Sequence, residues 1–129
     1  MILPRRLALT LAALAATGGA AVALHYHRLG LTLTHYDARA HLVVARRIVD
    51  SITPGWQQVG AVWLPLPHLL NAVPVQIDWF YRTGASAVLI SVLSLAAATG
   101  AIGWVIASLT GSTAAAAVGA AMFALNPNV

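Results

Sequence analysis

Gly84–Leu109 reads GASAVLISVLSLAAATGAIGWVIASL and contains no charged residue. At a rise of about 1.5 Å per residue, a helix over this stretch is longer than the roughly 30 Å hydrocarbon layer of a bilayer and crosses it with some tilt. Its small residues, Ala85, Ala87, Ala96, Ala97, Ala98, Gly100 and Gly103, suit lipid, where helices associate by close backbone approach. The whole chain agrees: its 129 residues are 60% hydrophobic and 8% charged, against about 25% charged in soluble domains. The expected fold class is an all-α membrane protein.

Two further apolar runs flank this one. Leu7–Leu24 is uncharged and follows Arg5 and Arg6; its length also matches the hydrocarbon layer. A basic start, an apolar stretch and small residues also describe a cleaved signal peptide. Because the run continues through Ala21–Leu24, past a plausible cut, an uncleaved anchor is favoured. After the turn Thr110–Thr113, a third run, Ala114–Leu125, stops at Asn126-Pro127, a helix-stop pair. The expected spans are residues 7–24, 84–109 and 113–125, joined by a loop over 25–83. The last is short for a bilayer, and two and a half helices leave small-residue surface without partners. The chain therefore reads as the amino-terminal part of something longer. Arg5, Arg6 and the amino terminus on one side balance Arg28, Arg39 and Arg82 on the other, so charge does not orient the spans.

Most of the polar chemistry sits in Tyr36–Leu70, YDARAHLVVARRIVDSITPGWQQVGAVWLPLPHLL. Ala38–Ser51 has helical periodicity, with Leu42, Val44, Ala45, Ile48 and Val49 on one face and Arg39, Arg46, Arg47 and Asp50 on the other. Thr53-Pro54-Gly55 ends it. Such a helix lies along the membrane interface, its arginines toward headgroups or a phosphate. Asp37 precedes the helix and has two readings. It is a preferred N-cap, or a carboxylate at the membrane surface that takes a proton from a hydroxyl. His41 follows one turn later on the same side. Pro65 and Pro67 keep Trp63–Pro67 out of a helix interior, and Pro67 starts a short helix that runs to Asn71 and is ended by Pro74. Trp56, Trp63, Trp79 and Tyr81 are rings suited to headgroup depth. His68 reads either as a substrate contact or as a structural histidine.

In order and spacing, Asp37, the helix ARAHLVVARRIVDS, the turn TPGWQQVG and VWLPLPHLL resemble the first extracytoplasmic loop of GT-C membrane glycosyltransferases. Within that superfamily they are most similar to bacterial relatives of protein O-mannosyltransferases and lipid A aminoarabinose transferases. The likeness runs from Arg5 to Asn128. It implies many transmembrane helices, an extracytoplasmic first loop that carries the interfacial helix, and a multi-pass protein of the plasma (inner) membrane. It also implies a polyprenyl-phosphate sugar donor, with membrane lipids and further transmembrane helices of the whole enzyme as partners.

On the likeness, the catalytic residue is Asp37, as base or site organiser. Substrate contacts fall to Arg39, His41, Arg46, Arg47, Pro65, Pro67 and His68, with the arginines suited to a phosphate. Ala38 stands where many relatives carry a second acidic residue, and Asp37 with His41 is too few groups for a metal site; no cofactor is expected. The chain has no cysteine, so disulfides, thiolate zinc sites and a cysteine nucleophile are excluded. The net charge of +4 comes from arginines scattered among apolar residues, so nucleic acid is not an expected partner. The rival from another class is a non-enzymatic small membrane protein whose loop binds lipid or a partner subunit.

Overall fold

The computed structural model describes residues 2–60 and 63–126. Among the described residues every regular element is helical: α1 (Ile2–Arg28), α2 (Tyr36–Arg47), α3 (Leu66–Asn71), α4 (Asp78–Thr83), α5 (Ala85–Thr110) and α6 (Thr113–Ala124), with 3-10 turns at Trp56–Val59 and Pro74–Gln76. Two helices, α1 and α5, are long and apolar enough to cross a membrane. With 12 residues, α6 reaches only about 18 Å, short of the hydrocarbon thickness. The Ser112 hydroxyl starts it by accepting the Ala115 N–H. It ends at Ala124; Pro127, half of the expected stop signal, lies outside the described residues.

The chain forms two compact units, Met1–Val22 with Ser91–Val129, and Ala23–Ile90. In the first unit, helices meet over small side chains. Gly19 lies against Val92 and Leu95, Gly103 against Leu11 and Ala120, and Gly119 against Ile106. Gly100 faces the least yielding neighbours: a Cβ there would stand 3.0 Å from both the Ala12 Cβ and the Ala8 carbonyl oxygen. Ala96, Ala107, Ala116 and Ala120 are buried in this unit. The buried Thr99 hydroxyl donates to the Leu95 carbonyl at 2.7 Å, so its polar group is not stranded there.

The second unit packs around Leu42, Ala45 and Val75, with Leu33, Tyr81 and Ala87 against them. The amphipathic reading of α2 is right about Leu42 and Ala45, which are its buried residues, whereas Val49 is exposed. The helix occupies Tyr36–Arg47, two residues earlier at its start and four shorter at its end than the expected Ala38–Ser51. Two local bonds explain the shift. The His35 side chain accepts the Asp37 N–H at 3.3 Å, which draws Tyr36 and Asp37 into the first turn. At the other end the Gly55 N–H donates to the Ile48 carbonyl, closing the chain back on the helix.

Proline at the start of α3 behaves as expected. Pro74, however, opens the Pro74–Gln76 turn rather than only closing α3. The Ser86 hydroxyl donates to Asn71 Oδ1 at 2.9 Å, and Asn71 Nδ2 donates to the Pro67 carbonyl. These bonds tie α3 to the first turn of α5. Between α4 and α5 the chain needs a left-handed residue. Gly84 supplies it with φ +71°, its N–H donating to the Phe80 carbonyl. A side chain there would be strained and would press on Leu33.

Candidate functional site

The capping reading of Asp37 is overturned. His35 is the N-cap of α2, and the Asp37 carboxylate remains exposed, its Oδ2 3.9 Å from His35 Nδ1. Nor does Asp37 pair with His41 one turn on. The partner of His41 is His68, with Nδ1 and Nε2 separated by 2.8 Å and the rings stacked. Trp63 covers His41, ring centroids 4.8 Å apart.

His68 is fully buried, and its Nδ1 has no hydrogen-bond partner among the described residues. The lower-energy tautomer puts its proton on Nε2, donating to His41 Nδ1, because a buried N–H without an acceptor is the more costly alternative. Burial, followed by the charge of His41, lowers the His68 pKa from its ordinary value. Enclosed in this way, His68 has no exposed surface.

A depressed histidine pKa means that the unfolded chain binds the proton first. The contribution of the pair is therefore complete above about pH 6.5 and declines as pH falls from there toward the folded pKa. Amides of residues 66–71 are expected to exchange faster at about pH 5.5 than at about pH 7.5, on either side of that ordinary value, once intrinsic rates are removed. His68→Phe, which removes the titrating group, should flatten that dependence. Unchanged protection across this range would show that the pair does not hold α3.

Arg46 also differs from expectation. Its Nη1 donates to Asp78 Oδ1 at 2.7 Å and its Nε to Asp50 Oδ2 at 2.9 Å. Its guanidinium carbon lies 4.6 Å from the Tyr81 ring centroid. The hydrogen bonds to Asp78 and then Asp50 raise its pKa, and the bond from Arg46 lowers that of Asp78. Arg46 therefore clamps α2 to α4 and has little left to offer a phosphate. Tyr81 is packed beneath it and is not a free headgroup anchor, while Trp56 and Trp79 are exposed as anchors should be. Arg47 is exposed and makes no ion pair among the described residues. Pro65 and Pro67 are exposed around the start of α3.

Arg39 is held differently from Arg46. Its Nε donates to the Leu33 carbonyl at 2.6 Å, which fixes the guanidinium and leaves both terminal nitrogens without a partner among the described residues. It lines a cavity of about 470 Å³ with Leu33, Leu42, Tyr81, Arg82 and Thr83. Also on the cavity wall are His27, at the end of α1, and Thr32. Sequence reasoning missed His27, Thr32 and Arg82. No periodic pattern links them; only the return of the loop to α4 brings them together. Among the described residues, no three His, Asp or Glu side chains converge as a metal site.

The chain matches no protein-family model, no curated protein and no solved structure. The likeness to GT-C enzymes rests on the motif order of this sequence alone.

Proposed function

We propose that this chain contributes to the active site of a membrane glycosyltransferase that takes its sugar from a polyprenyl phosphate. The acceptor hydroxyl attacks the anomeric carbon, the bond from that carbon to the phosphate oxygen breaks, and the lipid phosphate leaves with the electron pair. Asp37 receives the hydroxyl proton, and Arg39 holds the phosphate. The observation that carries this reading is the exposure of the Asp37 carboxylate. With capping left to His35, an exposed carboxylate stands in the same helical turn as the arginine that lines the cavity.

The test is transfer of radiolabelled sugar from polyprenyl-phosphate donors to membrane acceptors by the gene product that carries these residues. Absence of transfer across the donor series, with lipid binding retained, would leave the non-enzymatic lipid-binding protein as the better account.

On the same reading, residues 25–83 lie outside the cytoplasm at the plasma membrane. Ile52 is fully exposed, so a cysteine placed there should react with a membrane-impermeant thiol reagent in intact cells. Reaction only after lysis would reverse the topology.

A further inference from the structure

The cavity between the end of α1, the first half of α2 and the end of α4 gathers more hydrogen-bond donors than its surroundings satisfy. The terminal nitrogens of Arg39 have no acceptor among the described residues. Arg82, also on the wall, makes no ion pair among them either. The nearest carboxylate in sequence on its own helix, Asp78, is bound by Arg46; Arg82 acts on it through its charge but forms no ion pair with it. His27 has no hydrogen-bonded side-chain partner among the described residues. The Thr32 hydroxyl is buried and unpartnered among the described residues, which is uncommon unless something else completes it. Among the described residues no carboxylate lines the cavity, so the local charge is positive. Leu33, Leu42, Val43 and Tyr81 supply an apolar wall beside these donors.

We propose that this cavity binds a phosphate group, with Arg39 and Arg82 gripping the oxyanion from two sides and Thr32 and His27 donating to its remaining oxygens. Guanidinium forks match phosphate oxygens in geometry and charge. A phosphate neutralises the two arginines and satisfies the stranded hydroxyl in a single event. The group arrives as the headgroup of an anionic lipid or as the free ion. The apolar wall, and the position of His27 at the end of the apolar helix α1, favour the lipid. The site shares Arg39 with the transferase reading but needs no reaction, so binding measured without turnover stands or falls independently of Asp37.

The experiment titrates the purified 129-residue chain, in neutral detergent micelles, with short-chain phosphatidylglycerol, short-chain diacylglycerol, which lacks the phosphate, and inorganic phosphate. Saturable binding of phosphatidylglycerol is expected, weakened about tenfold or more by Arg82→Gln, the loss of one charge-assisted contact. Because Arg82 makes no ion pair among the described residues and acts on Asp78 only through its charge, the Arg46–Asp78 bond that holds α4 stays in place in this variant, even if Arg39→Gln disturbs the Leu33 bond. Thr32→Val should weaken binding less, without a change in helicity. Phosphatidylglycerol binding tighter than inorganic phosphate identifies a lipid headgroup, and equal or tighter binding of inorganic phosphate identifies the free ion; both support the site. Equal binding of phosphatidylglycerol and diacylglycerol with no response to inorganic phosphate overturns it. So does binding that Arg82→Gln leaves unchanged.

Discussion

Asp37→Asn is expected to lower glycosyl transfer by about 10²- to 10⁴-fold, the usual contribution of a general base, in protein that inserts normally and keeps α2. Asn preserves the shape and hydrogen-bonding capacity of the side chain but cannot accept the hydroxyl proton. The helix has little to lose, because its first-turn N–H is satisfied by His35. What disappears is the favourable placing of a negative charge near a helix N-terminus, about 0.3–1 kcal/mol at an exposed site.

His35→Ala supplies the opposite control. Removing a cap costs about 1 kcal/mol of helix stability, yet it leaves the carboxylate in place. A catalytic Asp37 therefore separates the two variants, Asn losing activity with helicity retained and Ala losing some helicity with most activity retained. Near wild-type transfer by Asp37→Asn would remove the base assignment.

The His35 cap shows where sequence reasoning reached its limit. Asp is a common N-cap and His is not among the preferred ones, so propensity pointed to Asp37 and missed a histidine two residues earlier. The spans were easier to read. Hydrophobic length is a local property, and α5 begins and ends within a residue of the expected 84–109. Leu42 and Ala45 were legible for a similar reason, since 3.6-residue periodicity fixes which positions share a face. Pairings across the loop were not. His41 lies 27 residues from His68, and Arg46 lies 32 from Asp78. Nothing local distinguishes those contacts from the nearer alternatives, Asp37 for His41 and a headgroup for Arg46. The turn at Pro74–Gln76 and the left-handed Gly84 decide which residues meet. The site was thus legible as a set of polar residues, whereas their division into clamp, buried pair and cavity wall came from the return of the chain.

Gly100→Leu is expected to be the most damaging single change in the helical unit, lowering its stability by about 1–3 kcal/mol or more. Its neighbours explain why. At Gly103 and Gly119 an added side chain first meets the ends of Leu11 and Ile106, which can rotate to another staggered position. At Gly100 it meets the Ala8 carbonyl oxygen and the Ala12 Cβ, and neither has a rotamer to change. The helices themselves must separate, and packing between small residues is a main source of helix association in lipid. Gly18, where an added Cβ would meet nothing within 4 Å, is the internal control: Gly18→Ala should be neutral or slightly stabilising, since Ala is the better helix former. Unfolding by titration with sodium dodecyl sulfate should rank the midpoints Gly18→Ala at or above wild type, Gly103→Ala somewhat below, and Gly100→Leu lowest. If Gly100→Leu unfolds with the wild-type midpoint, close approach at that residue does not hold α1 to α5, and the small-residue pattern of Gly84–Leu109 is a consequence of composition alone.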